Sequence, residues 1–333
     1  MLGGRSLSVV AVATFAAVPA PGAAQDALER GRALTAQLRE GRFAELHAAL
    51  SPKFAEAVGG REGLAALAER IAAQAGAEQG VVEEHAFRES GFTTYYRVSR
   101  HEKIPSVTTR WVWSPDGVVI GGAVRPTPAP AETQHAQYRT KAPLNLPFRK
   151  PDEGLWYVAW GGRDPIRNYH VQAPDQRFAY DFLVMRDGRH HRGDGDRNED
   201  HYCWGQAVTA PASGTVVTAT DGEPDNPRPG VKSAKTAPGN HVIIDHGSGE
   251  HSLIAHMRAG SVAVKTGQRV RKGEPLGVCG NSGNSDLPHV HYHLQTGAAY
   301  KQGVGLPAIF DGYYSGGRFV ERGEPQRGEL LLP

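Results

Sequence analysis

A chain of 333 residues is long enough for two ordinary domains, and 39% hydrophobic with 22% charged residues is the balance of a soluble globular protein. The formal charge of +2 falls to +1 without the first segment, where Arg5 is the only charged residue before Asp26. No basic stripe interleaved with aromatics is present, so the sequence points away from nucleic acid, and from fibres and disordered tails as well.

The start, MLGGRSLSVVAVATFAAVPAPGAAQD, places Arg5 before an apolar run from Leu7 to Val18, with Gly22 and Ala24 ahead of Gln25. It reads as a secretory signal peptide over residues 1–24, cut after Ala24, because about 12 apolar residues fall short of the roughly 20 that span a bilayer. No later run is apolar enough to cross a membrane, so the expectation is an exported protein, periplasmic or extracellular, with no membrane span after removal of the leader. An oxidising compartment permits Cys203 and Cys279, the only cysteines, to pair.

From Asp26 to about Gly76, Leu28, Leu34, Leu38, Leu46, Leu50, Leu64, Leu67 and Ile71 recur at spacings near three and four, which predicts amphipathic helix. Ser51-Pro52 reads as an N-cap with proline at the first helical position, so about three helical pieces are expected. VVEEHAF, FTTYYRVSR and TTRWVWSPDGVVIGGAV then turn β-branched and aromatic, with SPDG as a hairpin turn. Residues 26–124 are thus expected to form a small α+β domain, helices then antiparallel sheet, faintly resembling cystatin-like domains. RPTPAPAETQ reads as a proline-rich linker, with the boundary at residues 125–140. Beyond it, over 141–333, AVTAPASGTVVTATDG, GNHVIIDHG, HSLIAHM, VKTGQRVRKGEPLGVCGNSG and VHYHLQ are short glycine-punctuated strands, predicting an all-β antiparallel sandwich or barrel.

SDLPHVHYHLQ carries the sharpest chemical signal. His289, His291 and His293 stand at every second position, so on a strand their side chains share one face. Imidazole is the commonest zinc ligand, but a tetrahedral ion does not take three rings from one strand without crowding, so at least one has another task. Groups able to join them lie in NYHVQAPDQRFAYDF (His170, Asp181), NHVIIDHG (His241, His246), SLIAHM (His256) and RDGRHHRGDGDRNEDH.

From about residue 156 to 296 the chain resembles the lysostaphin-like, or LytM-type, zinc metallopeptidases, which cut peptide cross-links of bacterial cell walls. The resemblance rests on an early His and Asp, then APASGTV, GNHVIIDHG, AHM, VKTGQRVRKGEPLGVCGNSG and PHVH in the family's order. It implies a glycine-rich β fold (a duplicated hybrid motif) and a zinc endopeptidase acting on peptidoglycan or another peptide. It further implies zinc ligands His170, Asp181 and His291, and catalytic His256 and His289 flanking the water. His293, just past the motif, is expected to support a neighbour or lie at the surface. One departure stands out. The family's first histidine lies four residues before the aspartate, where this chain has Arg177, and His170 lies eleven before. Pro174-Asp175 is a turn signal able to make a compact excursion that returns His170 to the site, and a guanidinium cannot replace it.

The acidic loop GDGDRNEDH departs from the EF-hand pattern and reads as solvated, while His190, His191 and His201 could rim a groove. Cys203 precedes APASGTV and Cys279 lies in the turn before PHVH, so one disulfide beside the centre is expected, with two buried thiols as the alternative. A non-catalytic wall-binding or amidase-activating module on the same fold is the alternative function, against which the retained ligands argue. VKTGQRVRKGEPLG also resembles the hairpin of biotinyl or lipoyl carriers, but no lysine stands at a Met-flanked tip.

Overall fold

The structure, a computed structural model, describes residues 21–128, 135, 137–232 and 235–333. Residues 1–20 of the expected leader and 129–134 and 136 of the expected linker lie outside the described residues. Among the described residues no helix is long and apolar enough to cross a membrane.

The described residues begin with four helices rather than about three: α1 (Pro21–Arg39), α2 (Phe43–Ala48), α3 (Pro52–Ala57) and α4 (Gly60–Ala75). The additional break falls at Gly59, whose φ of 78° is a conformation that only glycine adopts at little cost. Ser51 caps α3 as its sequence predicts, accepting a hydrogen bond from the Phe54 amide at 3.2 Å. A four-stranded antiparallel meander follows in simple order: β1 (Glu78–Glu89), β2 (Phe92–His101), β3 (Val107–Trp113) and β4 (Val119–Pro126). SPDG joins β3 to β4, with Ser114 N donating to Val118 O at 3.0 Å. Leu34, Leu38, Leu46 and Leu64 from the helices pack on Tyr95, Trp111, Trp113 and Val119 of the sheet.

The rest of the chain is built from strands and turns. It contains β5 (Leu155–Trp160), β6 (Tyr180–Met185), β7 (Ala207–Thr209), β8 (Gly214–Thr220), β9 (Asn240–Asp245), β10 (His251–Met257), β11 (Arg269–Val270), β12 (Pro275–Val278), β13 (Val290–Gln295), β14 (Gly305–Leu306), β15 (Phe310–Ser315), β16 (Arg318–Gly323) and β17 (Leu330–Leu332). Ten of them run β11-β8-β9-β10-β13-β6-β5-β17-β15-β16 in one antiparallel sheet, β14 pairs with β13, and β12 pairs with β7. Period two decides what each face carries. Tyr180, Phe182 and Val184 of β6 and Val290, Tyr292 and Leu294 of β13 enter one apolar core with Ile254 of β10. Asp181 on β6 and His291, His293 and Gln295 on β13 therefore lie on the opposite face, and all are buried.

The two sheets meet at a small interface. Phe87, Tyr96 and Val98 pack on Ile166. The Arg327 guanidinium lies 4.2 Å from the Phe87 ring centre and 3.8 Å from that of Trp160, and it donates to Ile166 O at 2.8 Å. At the near end of the expected linker, Glu250, fully buried, accepts from Lys141 N, Ala142 N and the Tyr138 hydroxyl at 2.6–2.7 Å. The 138–142 segment is thus fastened to the large sheet.

Candidate metal centre

Asp181 and His291 are direct partners across the β6–β13 ladder, and Ala255 of β10 faces His291 from the other side. Cross-strand partners on one face stand within side-chain reach. His291 Nδ1 accordingly lies 2.8 Å from Asp181 Oδ1, with His170 Nε2 3.6 Å from Oδ2 and His289 Nε2 3.5 Å from Oδ1. Among the described residues two sets of three groups place one donor atom each within 4.8 Å of the others: His170, Asp181 and His291, and His256, His289 and His291.

His170 arrives by the excursion. A short 3-10 turn over Tyr169–Gln172 carries it, and residues 174–178 turn back to β6. Asn168 anchors the excursion and sets the ring. Its amide nitrogen donates to Gly162 O and Ala179 O at 3.0 and 2.9 Å, so its Oδ1 must be the atom facing His170 Nδ1 at 2.8 Å. An amide oxygen only accepts; His170 is therefore protonated at Nδ1, and Nε2, facing Asp181, is bare. His256 and His289 obey the same logic. Their Nδ1 atoms face Ser282 O and Leu287 O, each at 2.8 Å, leaving Nε2 as the reactive nitrogen.

Backbone geometry aims His256. Its φ of 62° is rare for a side-chain-bearing residue, it falls where the β9–β10 register slips, and its amide bonds Pro238 O rather than the ladder. Bulges of this kind re-aim a side chain at the cost of local strain.

The electrostatics suit neutral ligands around one anion. Burial pushes His170 down to about 3, against the pull of Asp181, and carries His256 well below its ordinary value. Burial works against the charge of Asp181, but the neighbouring His170 and His289 hold its carboxyl well below the usual range. His289 is likewise opposed by burial, and Asp181 raises it. Two bare or exchangeable imidazole nitrogens and one carboxylate fit a divalent metal, with two further imidazoles alongside.

A groove of about 420 Å³ opens onto His170, His256 and His291, walled by Tyr169, Gln176, Pro238 and Tyr300. Tyr169, half exposed, brings its hydroxyl to 3.4 Å from Asp181 Oδ2. Sequence reasoning passed over Tyr169 and Asn168, although Asn two residues before a histidine is a known local backbone cap. Other sequence candidates lie elsewhere. His246 bonds Ser213 O and Ser252 Oγ, and His241 bonds Gly239 O. His190, His191 and His201 cluster together, with His190 stacked on His201 and edge-on to His191; His190 Nδ1 lies 3.3 Å from His201 Nδ1, and His190 Nε2 is 3.9 Å from Glu89 of the first sheet. They are not among the residues that line the groove. His293 is buried, not at the surface, and meets His291 Nε2 at 3.0 Å. Cys203 and Cys279 are joined in a disulfide.

Part of the chain is similar to known proteins. Residues 201–302 match the model of peptidase family M23. The peptidoglycan DD-endopeptidase ShyA of Vibrio cholerae is 39% identical over 56 residues, which are 17% of this chain and 13% of that protein. An uncharacterized metalloprotease of Haemophilus influenzae is 33% identical over 116 residues, 34% of this chain and 22% of that one. The chain thus spans less than a quarter of the length of these relatives. The structure of lysostaphin from Staphylococcus simulans aligns at 17% identity with a TM-score of 0.30, covering 50% of this chain and 52% of that one. Residues 201–302, which contain His256, His289 and His291, are a peptidase family M23 domain.

Proposed function

We propose that the chain is an exported zinc metalloendopeptidase that hydrolyses peptide cross-links of peptidoglycan. One observation carries the reading: His170, Asp181 and His291 converge as three buried donors, with His256 and His289 beside them. Three protein donors leave a position open, as a catalytic zinc requires and a structural one does not. When bound, zinc would lower the pKa of a water molecule toward about 7 and polarise the scissile carbonyl.

The chain's own residues do the rest. Asp181 supplies the negative charge that offsets the cation, and Asn168 holds His170 with Nε2 inward. His256, which lines the groove, and His289, whose Nε2 lies 3.5 Å from Asp181 Oδ1, are each fixed through Nδ1, so the pair accepts a proton from the attacking water and returns one to the departing amine. The groove walls hold an extended peptide and keep bulk water off the reacting carbonyl.

The peptidoglycan substrate is supported by the match to a DD-endopeptidase, and export by the basic and apolar start and the disulfide. The test is digestion of purified cell-wall sacculi by zinc-replete protein, with mass spectrometry of the released fragments. New amino termini that vanish on chelation are expected. Intact cross-links after prolonged incubation with the zinc-loaded chain would overturn the reading.

A further inference from the structure

The face of β13 that carries His291 continues with His293 and Gln295, two and four residues on, and these three side chains are bonded in series. Gln295 is fully buried, and its amide nitrogen lies 2.8 Å from Gly297 O and 3.0 Å from Ala299 O. Carbonyl oxygens only accept, so the nitrogen must face them and Oε1 must face His293 Nε2, at 3.0 Å. That oxygen in turn accepts only, which places a proton on His293 Nε2. The His293 ring is 1% exposed, and its nitrogens meet only an uncharged amide and another imidazole, so it stays neutral and its Nδ1 is bare. The bare Nδ1 lies 3.0 Å from His291 Nε2, which must then carry the proton. What remains on His291 for a metal is Nδ1, which without one donates to the acceptor Asp181 Oδ1 at 2.8 Å.

We infer that Gln295 and His293 are positioning residues: the pinned amide of Gln295 sets the tautomer of His293, and through it that of His291, so that His291 offers Nδ1 to the metal. The inference rests on His291 being a metal ligand, as proposed above. It repeats on β13 the construction seen at Asn168, where an amide pinned by two carbonyls sets the tautomer of His170. The series also has a far end. Gly297 and Ala299 belong to the loop between Thr296 and Val304, closed by Thr296 N to Val304 O at 3.0 Å, and that loop presents Tyr300 to the groove. The wall that would contact substrate is therefore tied to the imidazole that would hold the metal.

Two measurements decide the matter. The first is nitrogen-15 NMR of histidine-labelled wild-type protein, zinc-free and zinc-loaded, in which the His291 and His293 rings should both carry a proton on Nε2. The second is zinc affinity by competition with a chromophoric chelator. His293→Leu removes the acceptor for His291 Nε2–H and should weaken zinc about 10–100-fold, the usual effect of losing the partner of a metal-bound imidazole. Gln295→Met should weaken it less and release the His293 tautomer in the spectrum. His293→Gln, whose amide oxygen can accept the same proton, should restore affinity close to the wild-type value. Wild-type affinity in His293→Leu, or a His291 Nε2 without a proton, overturns the inference. If His293→Leu fails to fold, Gln295→Met and the wild-type spectrum still decide it. Should the wild-type chain take up no zinc, the proposed centre fails, while the zinc-free spectrum reports on the relay alone.

Discussion

Replacing Cys203 and Cys279 together by serine should cost both stability and metal affinity. The bond closes a loop across a sequence separation of 76. Chain entropy for a loop of that size amounts to about 4.5 kcal/mol, and measured effects more often reach about 2–4 kcal/mol. With a urea slope of about 2–3 kcal/mol per molar, the unfolding midpoint should fall by about 1 M. The local effect is separate. Cys279 bridges Met257 at the end of β10, and its neighbour Gly280 bridges His289. Gly205 N also donates to Cys279 O, and Cys279 N to Gln206 O, at 2.9 and 2.8 Å. The bond thus ties the turn that precedes His289 and His291 to the 203–206 segment, and zinc affinity should fall with it, though by less than on loss of a ligand. Urea unfolding followed by tryptophan fluorescence, with a parallel zinc competition, measures the two terms. An unchanged midpoint would refute the loop argument, and an unchanged zinc affinity would refute the coupling to the site.

His170→Ala should abolish stoichiometric zinc uptake while Arg177→Ala retains it; metal analysis giving the reverse would remove His170 from the ligand set. His256→Ala and His289→Ala should keep zinc and lose turnover by about 10²–10⁴-fold, as expected for proton-transfer groups; wild-type rates in both would remove them from the mechanism. The zinc-free protein should lose stability as pH falls from about 6.5 toward 3. His170, depressed to about 3, contributes stability that is whole above its ordinary value of 6.5 and disappears as the pH approaches the folded value. Each such buried imidazole adds a slope of about 1.4 kcal/mol per pH unit in that window. Asp181, also depressed, acts only below its ordinary 3.8. His170→Gln should flatten the profile of urea midpoints against pH, and a profile as steep as wild type would show that the ring is not buried neutral.

What could be read from the residues was whatever is periodic or local. The alternation in VHYHLQ places His291 and Tyr292 on opposite faces, Ser51-Pro52 starts α3, and SPDG turns β3 into β4. His170 needed a path as well as a pattern. Its return to Asp181 depends on Asn168 reaching Gly162 O and Ala179 O, contacts that no spacing rule encodes. Asn168 and Gln295 look like ordinary polar residues in sequence because their role arises from two carbonyls that the fold brings to each amide. The stacking of Arg327 on Phe87 and Trp160 joins segments far apart in the chain.

The placement of β17 bears on how the molecule assembles. Residues 330–332 follow β15 and β16 in the chain, yet they lie between β5 and β15, with Leu331 opposite Trp156 on one side and Ser315 on the other. The β15–β16 hairpin pairs neighbours in sequence, whereas the ladder that joins it to β5 needs β17, a strand about 170 residues away from its partner β5. Until then β5 and β15 both present open edges, the arrangement most inclined to pair with another chain. Refolding should consequently show an early hairpin and a late, concentration-sensitive closure.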